Sequence, residues 1–300
     1  MIRVERALMI GLLTGGLLSG SDQDRVEHTP GGARFISFDA PGAMGTFALD
    51  INNGGLIVGR YRDQGGATHG FLRRRSGAIV TIDFPGSIFT VAAGINNRGD
   101  IVGQYSRPED PELRHGYLLH EGQFTTLDPR GSVFTNALGV NGRGDITGRF
   151  QTEDEALHGF RLRGGAFKTF DFPGAAQTHM HRSNNAGTIV GAFVDADDHP
   201  HLFVARHGNF ETLPIPASKS VAREQADINA YGDVVGAYCN GEPPCTATHG
   251  FLWIDQDERF ERIDVPDAIS TATFGMNDAR DIVGGYLDEN GVNHGFLMSR

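Results

Sequence analysis

Two short stretches near the middle of the chain carry its most unusual side chains: "THMHRSN" at 178–184 and "REQADIN" at 223–229. His179, His181, Arg182, Arg223, Glu224 and Asp227 stand there, mostly at positions that hold small or apolar residues in related segments elsewhere. Imidazoles exchange protons near neutral pH, guanidinium groups hold carboxylates, and carboxylates act as bases. In an extended strand side chains alternate between faces, so His179 and His181 point one way and Arg182 the other. Glu224 aligns with His179, and Asp227 with Arg182. Two readings follow. The set is a ligand-binding or catalytic cluster near a central channel, or it is an ion pair of Arg182 with Asp227 or Asp50 that fills space left by missing apolar side chains.

Little else in the sequence signals chemistry. There is no H-E-x-x-H, no G-x-S-x-G and no phosphate-binding glycine loop, and two cysteines are too few for a structural zinc site. No metal and no cofactor is expected. Asp195 to Asp198 ("DADD") lack the full calcium-loop pattern. Cys239 and Cys245 bracket "NGEPP" and form a candidate disulfide in an exported chain. The Arg-Gly-Asp tripeptides of "GINNRGDIVG" and "GVNGRGDITG" resemble adhesion signals, but their frame recurs where Arg98 and Arg143 are replaced by Gly54, Ala186, Tyr231 or Ala279. The Asn-x-x-Gly-Asp frame is therefore read as turn chemistry.

That frame defines the elements. Its Asn falls at Asn52, Asn96, Asn141, Asn184, Asn229 and Asn277, at intervals of 43 to 48 residues. Seven residues later stands a Gly, and nine later an aromatic residue. A His follows at His69, His115, His158, His201, His249 and His294. Each unit divides into four short runs bounded by Gly, Pro, Asn or Asp, as in "FTVAAGIN", "DIVGQY", "HGYLLH" and "QFTTLD", which are called strands A to D. Four antiparallel strands at such a period form one propeller blade. The expectation is an all-β, six-bladed β-propeller over 33–300, with repeats near 33–80, 81–125, 126–168, 169–211, 212–261 and 262–300. "RFISFDAPG" matches strand D sequences, so the N-terminal strand should close the sixth blade, which ends in "HGFLMSR". The six histidines are expected to hydrogen-bond within their own blades rather than to gather round a metal. Asp39, Asp83, Asp128, Asp171 and Asp264 are read as turn residues.

With 42 glycines and 39% hydrophobic residues among 300, the composition suits many short strands around a large core. A net charge of -11 argues against nucleic acid as a partner. Residues 1–21 place Arg3 and Arg6 before an apolar run and small residues, as in a secretory signal, and 22–32 read as a linker. Once the signal is removed no stable membrane span is expected, and a monomer is. The B to C segments carry most of the acidic runs, so the rim formed by the D to A and B to C connections should be acidic.

The six in-phase copies of "GINNRGDIVG…HGFL…FTTLD" resemble the HAF family of extracellular repeat proteins, whose His-Ala-Phe triplet stands here as "HGF", "HGY" or "HLF". The resemblance covers about 33–300. It implies a bacterial, exported propeller, secreted or periplasmic, and no reaction. Many relatives carry a C-terminal sorting segment that this sequence lacks after Arg300. The functional expectation is a non-catalytic module binding a protein or glycan. The alternative is a propeller hydrolase or lyase whose site lies on the D–A/B–C rim between blades four and five.

Overall fold

The computed structural model describes residues 6–7, 24–28, 32–215, 219–221, 225–240 and 247–300, and the chain within them is all-β. Blade 1 consists of strand A (Gly45–Ile51), strand B (Ile57–Arg62), strand C (Thr68–Arg73) and strand D (Ile79–Ile82), each antiparallel to the next. Strand A of blades 2, 3, 4 and 6 spans Phe89–Ile95, Ser132–Val140, Gln177–Ser183 and Ser270–Met276. In blade 5 it falls into two pieces, Lys219–Val221 and Asp227–Ile228, which both pair with strand B, Val234–Asn240.

Strand D of blade 6 is Arg34–Phe38, which pairs antiparallel with strand C of that blade, Asn293–Ser299. The ring is thus a six-bladed β-propeller closed by its N-terminal strand. The stretch read as a linker is partly structured: Arg25–His28 adds a further antiparallel strand outside Arg34–Phe38. Of the segment read as a signal, only Arg6–Ala7 lies within the described residues, paired with Gln123–Leu127.

Each blade is held by one repeated contact between a glycine and an aromatic ring. The Gly seven residues after the turn Asn lies in strand B under the aromatic two residues after the repeated His. A Cβ on Gly59 would come within 2.7 Å of Phe71, and one on Gly148 within 2.7 Å of Phe160. Phe71, Tyr117, Phe160, Phe203, Phe251 and Phe296 are accordingly completely buried. Burying such a ring contributes roughly 1.5–3 kcal/mol.

The turn Asn has a double role. Asn96 Oδ1 accepts the backbone N–H of Arg98 (2.9 Å) and of Asp100 (3.0 Å), which closes the A–B hairpin. Its amide then donates to the carbonyl of Asn141, the matching residue of the next blade, at 3.0 Å. Asn52, Asn141 and Asn184 donate to the carbonyls of Asn96, Asn141's successor Asn184, and Asn229 in the same way, at 3.0, 3.3 and 3.0 Å. Where the ring passes from blade 5 through 6 to 1, Asp278 takes over: it accepts from Ala230 N at 2.8 Å and from the Asn53 amide at 2.6 Å. The Arg-Gly-Asp tripeptide sits in this turn. Arg98 is bound to Asp100 at 2.8 Å, and Asp100 is only 5% exposed, so its carboxylate is turned into the scaffold.

The repeated histidines are tied to strand D. Nδ1 of His69, His115, His158, His249 and His294 donates to Asp83, Asp128, Asp171, Asp264 and Asp39 at 2.7–2.9 Å. These aspartates therefore hold a histidine in addition to standing at a turn. In blade 4 the matching position is Pro214, and His201 donates through Nε2 to Asp195 instead, at 2.7 Å. Asp128 holds the His115 imidazole above its ordinary pKa.

Deleting Arg34 to Pro41 should remove the strand that seals blade 6 and leave a free edge. The expected outcome is aggregation or loss of a single cooperative unfolding transition. It is checked by size-exclusion chromatography and thermal melting, and a monomer with unchanged melting would contradict ring closure.

Candidate functional site

Strand A of every blade faces the central axis, and its residue two before the turn Asn forms a ring: Asp50, Gly94, Gly139, Arg182, Asp227 and Gly275. One long cation stands among two carboxylates and three glycines. The glycines leave the room: a Cβ on Gly94 would collide with Arg182 Nη1, and one on Gly139 would lie 2.9 Å from Arg182 Cδ.

Arg182 fills that space and is 4% exposed. Its Nη1 donates to the carbonyl of Leu138, and its Nη2 to the carbonyls of Ala93 at 2.8 Å and Leu49 at 3.1 Å. Asp50 lies 3.2 Å from Nη1, and Asp227 lies 3.6 Å from Nε. The ion pair therefore joins Arg182 to both Asp227 and Asp50. Each carboxylate also links neighbouring blades through backbone N–H groups: Ile51 and Ile95 donate to Asp50 at 2.8 and 2.7 Å, and Ile228 and Met276 to Asp227 at 2.7 and 2.8 Å.

The side-chain directions differ from simple alternation. Strand A of blade 4 shifts register between Met180 and Arg182, so His181 is the extra residue of a β-bulge. The same shift occurs in blades 1, 2, 3 and 6. A bulge breaks the period of two, so simple alternation no longer assigns the faces of His181 and Arg182, and Arg182 turns to the axis. His181 is fully buried, its ring centroid 6.3 Å from that of His179. Arg149 of blade 3 meets His179 Nδ1 at 2.5 Å. Arg223 and Glu224 lie outside the described residues, as does Cys245; Cys239 is buried and disulfide-bonded.

Arg182 and Asp227 stand at the central channel that the cluster reading expects, and not on the D–A/B–C rim of the hydrolase or lyase alternative. Arg182 and Asp227 precede the A–B turns by two residues, and they floor a shallow funnel of about 100 Å³ walled by the turn asparagines. That is the face opposite the D–A/B–C rim. Burial raises Asp50 to a pKa of about 7, with Arg182 opposing the shift and Asp227 adding to it. Burial raises Asp227 as well. One guanidinium faces two buried carboxylates, so the pair retains a proton more readily than free aspartate. On the other face, several B–C carboxylates cap their own loops: Asp63, Asp195 and Asp288 accept the backbone N–H groups of Ala67, His199 and Val292 at 2.7–2.9 Å.

Concave surface lies between blades. A cleft of about 460 Å³ separates blades 1 and 2, with Val80, Ile82, Leu119 and Phe124 in its walls and Arg98 and His120 at its rim. A second, of about 400 Å³, separates blades 5 and 6, with Ile263, Phe35 and Met298 in its walls and Arg262 and Arg300 beside them. The two are related by the repeat: strand D of one blade faces the C–D hairpin of the next, with Phe35 in place of Phe124 and Met298 in place of Leu119. Sequence reading missed both, because their walls are ordinary strand residues. Among the described residues no group of three or more His, Cys, Asp or Glu is arranged to hold a metal.

No family model and no curated protein matches the chain. Solved structures do. AofleA from Arthrobotrys oligospora superposes with a TM-score of 0.54 at 14% identity, over 90% of this chain and 88% of that one. The β-propeller domain of the Trilobed protease from Pyrococcus furiosus gives 0.53 at 10% identity, over 91% and 89%. An Aleuria aurantia lectin variant in complex with Fucα1-6GlcNAc gives 0.52 at 9% identity, over 85% and 91%. At such identities the likeness is one of fold, and it agrees with the six blades counted here.

Replacing Arg182 by Met should cost about 3–5 kcal/mol, because it leaves two buried carboxylates without their cation. Adding Asp50→Asn and Asp227→Asn to that variant should recover part of the loss in urea denaturation. The raised pKa of Asp50 also has a sign. The folded state keeps a proton that the unfolded chain releases near pH 4, so this group's contribution to stability is full below pH 4 and declines up to about pH 7. Asp50→Asn should therefore lose less stability than the parent between pH 4.5 and 7.5, read from denaturation at a series of pH values. Equal slopes would show that Asp50 does not hold the proton.

Proposed function

We propose that this chain is an exported, non-catalytic binding propeller, related to the HAF extracellular repeats, that takes glycans in clefts between its blades. The observation that carries this reading is the recurrence of one cleft design at the 1/2 and 5/6 seams. Each combines apolar side chains with charged pairs, Arg98 and His120 with Asp100 in the one and Arg262 with Asp264 and Arg300 with Glu261 in the other, which suits the C–H faces and hydroxyls of a neutral sugar. A ring that repeats a weak site also gains from avidity toward a branched or surface-bound ligand. Among the propellers that share the fold are lectins, one of them holding a fucosylated saccharide, which supports the same reading.

The axial cluster does not favour the hydrolase or lyase alternative. Arg182 is committed to backbone carbonyls and carboxylates, and His179 and His181 are buried. Export rests on the character of residues 1–21, and the disulfide at Cys239 accords with an oxidising compartment.

Titration calorimetry with saccharides selected on a glycan array should find more than one site per chain. Thr81→Trp obstructs the 1/2 cleft and Arg262→Trp the 5/6 cleft, and each should remove one site while thermal melting stays within about 2 °C of the parent. Stoichiometry unaffected by both variants, or turnover of the saccharide, would defeat the proposal.

A further inference from the structure

The seam between blades 6 and 1 departs from the two seams that follow it. At each of these seams strand A meets strand C of the preceding blade in a single parallel bridge: Gly45 with Asn293, Phe89 with Thr68, and Phe134 with Arg114. Gly45, Phe89 and Phe134 share one repeat position, seven residues before the turn Asn. In blades 2 and 3 a phenyl ring occupies it, covered by Arg114 at 4.2 Å and approached by Arg149 at 5.9 Å. In blade 1 there is no ring. A cleft of about 450 Å³ stands in its place, on the face of the D–A and B–C connections.

The lining of this cleft is chemically one-sided. Met44, Phe47 and Tyr61 give it an apolar wall, and Arg60, Arg62 and Asn293 give it polar groups. The Arg60 guanidinium lies over the Phe47 ring, 4.8 Å from its centroid, and Met44 is 58% exposed. Two guanidinium groups and no carboxylate line the cleft, in a chain of net charge -11. The backbone bridge between Gly45 and Asn293 fixes its floor, so the site is preformed rather than assembled by a ligand.

We infer that this cleft is a subsite for a uronic acid residue of an acidic oligosaccharide. The inference rests on the glycan-binding reading and adds the ligand class and a place distinct from the 1/2 and 5/6 clefts. A guanidinium fork matches a carboxylate in charge and geometry. The sugar ring lies against Tyr61 and Met44, with Phe47 holding the Arg60 guanidinium in place, and the Asn293 amide donates to or accepts from a hydroxyl. The exposed carboxylates of the B–C loops on the same face, such as Glu109, Asp110 and Glu112, repel a polyanion. A saccharide with a single uronate therefore fits better than a polyuronate.

The test uses the full chain and three probes: a glucuronate-terminated disaccharide, its glucose-terminated counterpart, and acetate. The glucuronate form should bind at least about tenfold more tightly than the neutral form at low salt, and the preference should shrink at about 0.5 M salt. Gly45→Phe rebuilds the pattern of blades 2 and 3. A Cβ at Gly45 meets only Asn293 Cβ and O, at 3.5 and 3.6 Å, so this variant should fold and melt as the parent does. It should weaken the glucuronate disaccharide at least about tenfold, and Arg60→Gln should do the same, since each removes either the space or one charge-assisted contact. Unchanged affinity in Gly45→Phe would overturn the assignment, as would equal affinity for the neutral disaccharide or binding of acetate as tight as that of the sugar. If Thr81→Trp and not Gly45→Phe abolished uronate binding, this subsite would fall and the glycan reading would stand. If neutral saccharides alone bound, the outcome would be the same, whereas no saccharide binding of any kind would remove both.

Discussion

The ring depends on a single buried guanidinium. Arg182 leaves blade 4 and reaches the carbonyls of blades 1, 2 and 3 and the carboxylates of blades 1 and 5, so one side chain contacts four blades besides its own. Arginine suits this place because its five N–H donors lie in one plane and cannot lose their charge. Two of the three glycines at matching positions matter as much as the cation, because a side chain at Gly94 or Gly139 would collide with Arg182. Blades related by a repeat are here made unequal at their centre, and the inequality is what plugs the channel.

Around that plug two tiers of repeated polar contacts fix neighbouring strands. The asparagine amides pass from blade to blade on the A–B face, while the histidine–aspartate pairs bind strand C to strand D on the other. Both use polar side chains where an apolar core alone would leave the blades free to slide. The hydrophobic clusters within and between blades supply the larger share of the stabilisation, and the polar tiers set the register.

Much of this was legible in the sequence. Constant spacing of Asn, Gly, aromatic and His residues gave the number of blades, and "RFISFDAPG" gave the closing strand, because both depend on local pattern alone. The direction of Arg182 was not legible. It depends on a bulge at His181, and a bulge leaves no mark when every residue around it is compatible with a strand. The rim of the hydrolase or lyase alternative was misjudged for a simpler reason: Arg182 stands two residues before an A–B turn, and distance from that Asn fixes the face. The role of Asp39 and its equivalents was only half visible, since a turn aspartate and a histidine partner look alike until Pro214 removes the aspartate and His201 turns to Asp195. The cleft at Gly45 is hidden because a missing side chain reads as an ordinary turn glycine.

The manner of closure has a consequence for how the molecule comes into being. His294 and Asp39 are 255 residues apart, yet they form one of the equivalent pairs that bind strand C to strand D. During synthesis Arg34–Phe38 is made long before the strand it must join, Asn293–Ser299. Five blades can gather while the first strand still waits with an unpaired edge, and the chain then completes its circle in one late step. Such a protein is most exposed to wrong pairing in the interval before strand C of its sixth blade is made, and a pause within that interval would prolong the exposure.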